Sequence, residues 1–220
     1  MCAADGDPAQ VFDVVTRVFL ASRNAKKLAE LERVLGQVIP QIEVVGLDAV
    51  ASYDEPAETE QTFEGNALVK ARAGSVATGL ATLADDSGLC VDALNGMPGV
   101  LSARWSGASK DDAANNALLL AQLRDTPDDR RGAEFRCAVA LCMPDGREEL
   151  AQGVMRGRVV NQERGTAGFG YDPLFVPDAQ PAGQQLTSAE LSAEAKDAIS
   201  HRGQSLRAIA PVVARLLTSS

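Results

Sequence analysis

The sequence predicts an α/β fold built on a mixed sheet, and three observations lead there. Short β-like runs alternate with longer helix-like segments as far as Pro127. The second half then changes to two long strand-like runs joined by a hairpin signal, and two helix-like segments close the chain. The order is not a uniform βαβ series. At 220 residues the chain is one domain by size, or two small lobes sharing a cleft.

In chain order, RVFLA (17–21) reads as a buried strand. SRNAKKLAELERVLG (22–36) follows as a helix, with Leu28, Leu31 and Leu35 at i, i+3, i+7 and Gly36 as its C-cap. Ile42 to Val45 is a second strand. Residues 48–61, with five acidic residues and one proline, form a loop. A helix runs from near Thr62 to near Gly79, and strands at 81–85 and 90–94 flank a pair of aspartates. After Ser109 a helix carries Ala113, Ala117, Leu120 and Ala121, and Pro127 marks its exit. AEFRCAVALCM (133–143) and REELAQGVMRGRVV (147–160) are strands, turned by Asp145-Gly146. A glycine-rich loop at 165–170 leads to the apolar LFV, and two helices meet at His201, Arg202 and Gly203.

Composition narrows the function. Hydrophobic residues make up 45% and charged residues 23%, ordinary for a soluble globular protein. No apolar run approaches the ~20 residues of a membrane span, so no membrane partner is expected. The first residues are acidic where a signal peptide is basic, which argues against export. Cys2, Cys90, Cys137 and Cys142 show neither CxxC nor metal spacing, and the last three sit in apolar runs, as reduced thiols of a cytoplasmic protein do. The net charge of −9 makes a poor nucleic-acid binder, since that affinity rests on Lys and Arg. A small phosphate ligand asks less: a local cluster of cations, with a divalent metal between it and any carboxylates.

Five stretches carry candidate chemistry. SRNAKK (22–27) ends a strand and opens a lysine-bearing helix, a phosphate-binding arrangement lacking P-loop spacing; the alternative is a capped helix with solvated lysines. In TFEGNALVKA (62–71), Phe63, Asn66 and Lys70 share one helical face, though Lys70 could equally lay its stem over the core. Asp85 and Asp86 close an apolar run, which places them at the carboxyl end of a strand, where ligands sit in open α/β sheets and where adjacent acids suit Mg²⁺. The competing reading is a turn, because Asp, Asp, Ser and Gly are all turn formers. GTAGFGYDP (165–173) offers glycines for close approach, with Phe169 and Tyr171 as flat faces for a base. SHRG (200–203) holds the only histidine beside Arg202 and near Lys196, donors for a purine carbonyl. Together they describe a nucleoside triphosphate held at both ends.

ASRNAKKLAEL, TFEGNALVKA, LADDSGLCVDALNGMPGVLSARWSG, GFGYDPLF and SAELSAEAKDAISHRGQSL resemble, in that order, the inosine triphosphate pyrophosphatase family, also called Ham1 or RdgB-like. The resemblance starts near Arg17. It implies a two-lobed α/β mixed-sheet fold with helices on both sides of a long central cleft, a single domain over 17–220, with residues 1–16 left as a disordered N-terminal extension. It implies a Mg²⁺-dependent homodimer that hydrolyses ITP, dITP and XTP to monophosphate and pyrophosphate, keeping deaminated purines out of nucleic acid. By position, Ser22, Arg23, Asn24, Ala25, Lys26 and Lys27 would hold phosphates, with Asn66 and Lys70 alongside. Asp86 would be the catalytic carboxylate and a metal ligand, with Asp85 beside it and Glu58 aligning best as the second ligand, Glu55 and Glu60 being the neighbouring alternatives. Ser87 would touch substrate. Phe169, Gly170, Tyr171 and Asp172 would line the base and sugar pocket, completed by Lys196, His201 and Arg202. Two positions depart from the family's pattern: Ala167 stands where a glycine is common, and Gly65 precedes Asn66 where a glutamate often does.

These roles make one mechanism. Mg²⁺ on Asp86 neutralises phosphate and prepares a water, Asp86 takes its proton, and Lys27, Lys70 and Lys196 stabilise the departing pyrophosphate. His201 and Arg202 donate to the 6-oxo group that hypoxanthine and xanthine carry and adenine lacks. The rival reading is a regulator that binds nucleotide without hydrolysing it, against which the Asp pair and the lysines argue.

Overall fold

A computed structural model describes residues 16–107 and 111–218. The expectations for residues 1–15 lie outside the described residues, and the helix expected after Ser109 begins at Asp112 with Asp111 as its cap. Six strands form one mixed sheet in the order β2-β1-β3-β4-β5-β6. They are β1 (Thr16–Leu20), β2 (Ile42–Val45), β3 (Ala81–Val91), β4 (Gly132–Cys142), β5 (Glu148–Val159) and β6 (Phe175–Pro177). The helices are α1 (Ala25–Gly36), α2 (Phe63–Thr78), α3 (Asp112–Gln122), α4 (Ala193–Ile199) and α5 (His201–Thr218). β1 pairs parallel with β2 and β3, and the remaining neighbours are antiparallel. Thr16 therefore belongs to the sheet, not to the expected extension.

Three expectations are corrected. β3 runs unbroken through the aspartates, where two short strands flanking the pair were foreseen and a turn was the competing reading. β4 pairs with it from Thr82↔Cys142 to Val91↔Ala133, and that ladder satisfies the backbone a turn would have freed. Gly36 is the last residue of α1 rather than the one after it. His201, Arg202 and Gly203 do not link two helices; they are the first turn of α5, whose start Ser200 caps by accepting from the Gly203 N–H at 3.0 Å.

Alternation along the strands sorts the core. Leu83, Val139 and Leu141 face α1 and α5, packed on Leu31, Leu35, Leu206 and Val213. Ala84, Ala138 and Ala140 face α2, packed on Phe63, Ala67 and Ala71. Farther along the same three long strands, Leu89, Phe135 and Met155 join Leu119, Leu174 and Phe175 in a second core. The first and second cores are the two lobes, and β3, β4 and β5 run through both.

The helix that follows β1 and the one that precedes β3 lie on opposite sheet faces, so the crevice opens between β1 and β3 at the carboxyl end of β1. β1 stops at Leu20, opposite Leu83. Beyond that point no strand among the described residues pairs with this edge of β3 until Cys90 bridges to Pro98. Residues 85–88 of β3 thus form the floor of a cleft of about 740 Å³.

Candidate active site

Side chains one residue apart on a strand point to opposite faces, so Asp85 and Asp86 cannot share one ion in the way adjacent acids suggested. Asp85 looks toward α1 and α5. Its Oδ2 lies 2.5 Å from Lys27 Nζ and 3.6 Å from Arg202 Nε, and its side chain is almost wholly buried. Burial would raise its pKa, but Lys27 and Arg202 outweigh burial and hold the carboxyl well below the usual range. The expectation of Asp85 as a metal ligand is therefore corrected: its counter-charges come from the protein.

Asp86 looks toward α2. Its Oδ2 accepts from Asn66 Nδ2 at 2.9 Å, and its Oδ1 accepts from the Ser87 backbone N–H at 3.0 Å. Asn66 is fully buried and its Oδ1 accepts from the Glu60 N–H at 2.9 Å, so the amide is locked from both ends. Burial raises the Asp86 pKa and the Glu58 charge adds to this; Lys70 and Asn66 pull the other way, and the net shift is upward. The face predicted for Phe63, Asn66 and Lys70 is real. Thr62 caps α2 by accepting from Gly65 N–H at 3.1 Å, and Gly79 closes it in the left-handed region at φ 67°. Lys70 Nζ donates at 2.7 Å to Glu58 Oε1 and at 2.7 Å to the Asp85 carbonyl, an acceptor on the strand's uncovered edge.

Glu58 stands between Lys70 and Arg104, whose Nη1 is 3.5 Å from Glu58 Oε2 and whose Nη2 donates to its carbonyl at 3.3 Å. Burial opposes ionisation of Glu58, but Lys70 and then Arg104 keep its pKa below the ordinary value. Asp86 and Glu58 are the carboxylates on the cleft that fit a hard divalent cation. Both are oxygen donors, and Mg²⁺ takes one or two carboxylates beside phosphate oxygens. No larger cluster of His, Cys, Asp and Glu suited to a metal occurs among the described residues.

At the β1–α1 turn, Asn24 Oδ1 accepts from the Lys27 N–H at 3.4 Å, and Ser22 Oγ from the Asn24 N–H at 3.3 Å. The polar residues thus shape the turn, and Lys27 reaches the cleft, where it pairs with Asp85. Arg23 points outward to Glu55. Asn24 and Lys27 line the cleft; Ser22, Arg23 and Ala25 do not, and the side chain of Lys26 lies outside the described residues.

At the far end the two aromatics part. Phe169 is 67% exposed, but Tyr171 is buried in the second core with its hydroxyl donating to the Ser102 carbonyl at 2.9 Å. Only Phe169 offers an open face. The buried Asp172 accepts from the Phe169 N–H at 2.9 Å and from Lys196 Nζ at 2.5 Å, and Lys196 Nζ sits 5.3 Å from the centre of the Phe169 ring. Lys196, on α4, thus packs against the aromatic loop. His201 stacks on Phe135 with ring centres 5.0 Å apart, and burial drives its pKa down to about 3, leaving a neutral imidazole. Arg202 lines the cleft, but its Nη1 pairs with Glu30 at 2.7 Å.

The cleft therefore gathers Asp86, Glu58, Lys27, Lys70, Ser87 and the aromatic loop, with Asn66 bracing Asp86 from behind. Sequence reasoning missed Glu30, Arg104, Asp112 and Asn116. The i, i+3 spacing of Glu30 from Lys27 was a usable signal; the others act through contacts distant in sequence.

The Ham1 family model matches residues 18–212. A dITP/XTP pyrophosphatase of Nocardia farcinica is 60% identical over 92% of this chain and 97% of its own length. The crystal structure of a nucleoside-triphosphatase/dITP/XTP pyrophosphatase from Mycobacterium abscessus superposes with a TM-score of 0.76 at 55% identity, over 90% of this chain and 100% of that one. The Ham1 protein of Staphylococcus aureus gives 0.80 at 35% identity, over 90% and 98%.

Proposed function

For a chain that belongs to the Ham1 family, we propose the activity of a nucleoside-triphosphate pyrophosphatase that converts ITP, dITP and XTP to the monophosphate and pyrophosphate. One observation carries it: Asp86 is held by Asn66 at the uncovered edge of β3, with Glu58, Lys27 and Lys70 around the same cleft and an open aromatic ring on its wall. An acid among cations, one cleft away from a stacking face, suits a substrate with a polyanionic tail and a flat base.

Mg²⁺ belongs to the same proposal, with Asp86 and Glu58 as the residues that would hold it. When bound, it supplies neutralising charge to the phosphates and electrophilic pull on the reacting phosphorus. The chain's own groups do the rest. Asp86 takes a proton from the attacking water while the water oxygen bonds to the α-phosphorus and the bond to the bridging oxygen breaks, releasing pyrophosphate. Lys27 and Lys70 stabilise the charge that grows on that leaving group. Asp85 stays ionised and fixes the Lys27 ammonium in place.

Phe169 stacks the base. A neutral His201 keeps one N–H, and Arg202 brings further donors, for a 6-oxo acceptor. Adenine would present a donor there, and each buried donor left unpaired costs about 1–3 kcal/mol. A cytoplasmic homodimer that removes deaminated purines before polymerases use them completes the reading; a monomer mass by light scattering would remove the dimer from it.

The test is a panel of nucleoside triphosphates scored for pyrophosphate release. ITP, dITP and XTP should exceed ATP by at least about thirtyfold in kcat/KM, as two unpaired donors imply. EDTA should abolish turnover and added Mg²⁺ restore it. Equal rates on ATP, or full activity in EDTA, would refute the corresponding half of the proposal.

A further inference from the structure

Phe169 stands exposed between Gly168 and Gly170, both in the left-handed region at φ 81° and 60°. Glycines so placed leave an aromatic ring many orientations, and choosing one costs conformational entropy that a stack must overcome. At Gly168 no other residue fits, because a Cβ there would run into the Asp172 carboxylate. Within the loop, Asp172 ties down the Phe169 backbone twice, its carboxylate accepting from the Phe169 N–H at 2.9 Å and its own N–H donating to the Phe169 carbonyl at 3.2 Å, while the ring meets the Lys196 ammonium 5.3 Å from its centre.

Two further restraints come from α3, and they grip one residue. The Gly170 N–H donates to Asp112 Oδ2 at 2.7 Å, and the Gly170 carbonyl accepts from Asn116 Nδ2 at 3.2 Å. Asp112 and Asn116 are one helical turn apart, so both reach the same peptide neighbourhood from one helix face. Asn116 is 3% exposed, and its Oδ1 is enclosed with no hydrogen-bond partner, so its orientation is set by the bond it makes to Gly170. The helix behind them is fixed. Asp111 caps it through the Ala114 N–H at 3.1 Å, Asn115 Oδ1 accepts from both the N–H and hydroxyl of Ser106, and Leu119 is buried in the second core.

We propose that Asp112 and Asn116 are positioning residues for nucleotide binding: they clamp the Gly170 backbone from both sides and so hold the Phe169 ring in its stacking orientation before the base arrives. The proposal rests on the reading that Phe169 stacks the base. Asp112 is exposed at the start of α3, so its removal leaves the cores intact. Pre-ordering a ligand-binding loop lowers the cost of binding and leaves the chemical step alone. The clamp should therefore show in KM and not in kcat.

The experiment is steady-state hydrolysis of ITP by Asp112→Ala, Asn116→Ala, Asp112→Asn, Phe169→Ala and the double variant Asp112→Ala/Phe169→Ala, each checked by thermal melting. Asp112→Ala should raise KM about tenfold with a far smaller change in kcat, the scale of weakening one base stack. Asp112→Asn keeps an acceptor for the Gly170 N–H and should restore most of the affinity. The double variant should be no worse than Phe169→Ala alone, because the clamp has nothing left to hold. If Phe169→Ala raises KM and Asp112→Ala does not, or if the two effects multiply, the clamp is refuted and stacking survives. If Phe169→Ala itself leaves KM unchanged, the stacking reading falls and the clamp with it. Should Asn116→Ala fail to fold, the exposed Asp112 series still decides.

Discussion

Asp85 and Asp86 differ by one position and by everything around them. Asp86→Asn keeps the side-chain shape and removes the base, but its amide can accept from only one of Asn66 and the Ser87 N–H, so turnover should fall about a thousandfold with a stability loss of about 1 kcal/mol. Asp85→Asn removes the counter-charge of Lys27 and Arg202 in a nearly closed space. Breaking a buried pair in this way costs about 3 kcal/mol, the low end because Lys27 keeps a quarter of its exposure. Urea unfolding of the two variants checks the split, and equal destabilisation would contradict it. His201 gives a pH signature. Its folded pKa of about 3 lies below the ordinary 6.5, so the unfolded chain takes up the proton first. The contribution to stability is whole above pH 6.5 and declines as the pH falls toward 3. The imidazole C2 proton should show no NMR titration between about pH 5 and 8; a midpoint near 6.5 would mean that the ring is open to water.

At the scale of elements, each working residue depends on how its helix or strand begins and ends. α2 carries Asn66 and Lys70, and its start rests on Thr62 accepting from Gly65. Thr62→Ala should cost about 1 kcal/mol by chemical denaturation and lower kcat by less than tenfold, because the Asn66 lock lies within the first turn. A larger loss of activity than of stability would show that the cap tunes Asn66 directly. These boundaries were legible in sequence: Thr62, Gly79, the Asp145-Gly146 turn and the ends of β2 all fell where local chemistry put them. The continuity of β3 was not. Asp, Asp, Ser and Gly favour a turn in isolation, and a strand forms because β4 lies alongside for its whole length.

For the whole molecule, the crevice exists because β1 ends at Leu20 while β3 continues, with α1 and α2 on opposite faces. The net charge of −9 is compatible with the proposed anionic substrate because Lys27 and Lys70 line the cleft. Taken alone, the sequence determined the α/β alternation, the caps of α2 and the Asp145-Gly146 turn, because periodicity and capping act over a few neighbouring residues. Tertiary structure alone decided that Asp85 answers to Lys27 and Arg202 while Asp86 meets Asn66, that Tyr171 is buried while Phe169 is open, and that Asp112 and Asn116 reach Gly170. Each depends on partners far along the chain. Strand period turns one step of sequence into opposite faces only once the strand is known to run straight through.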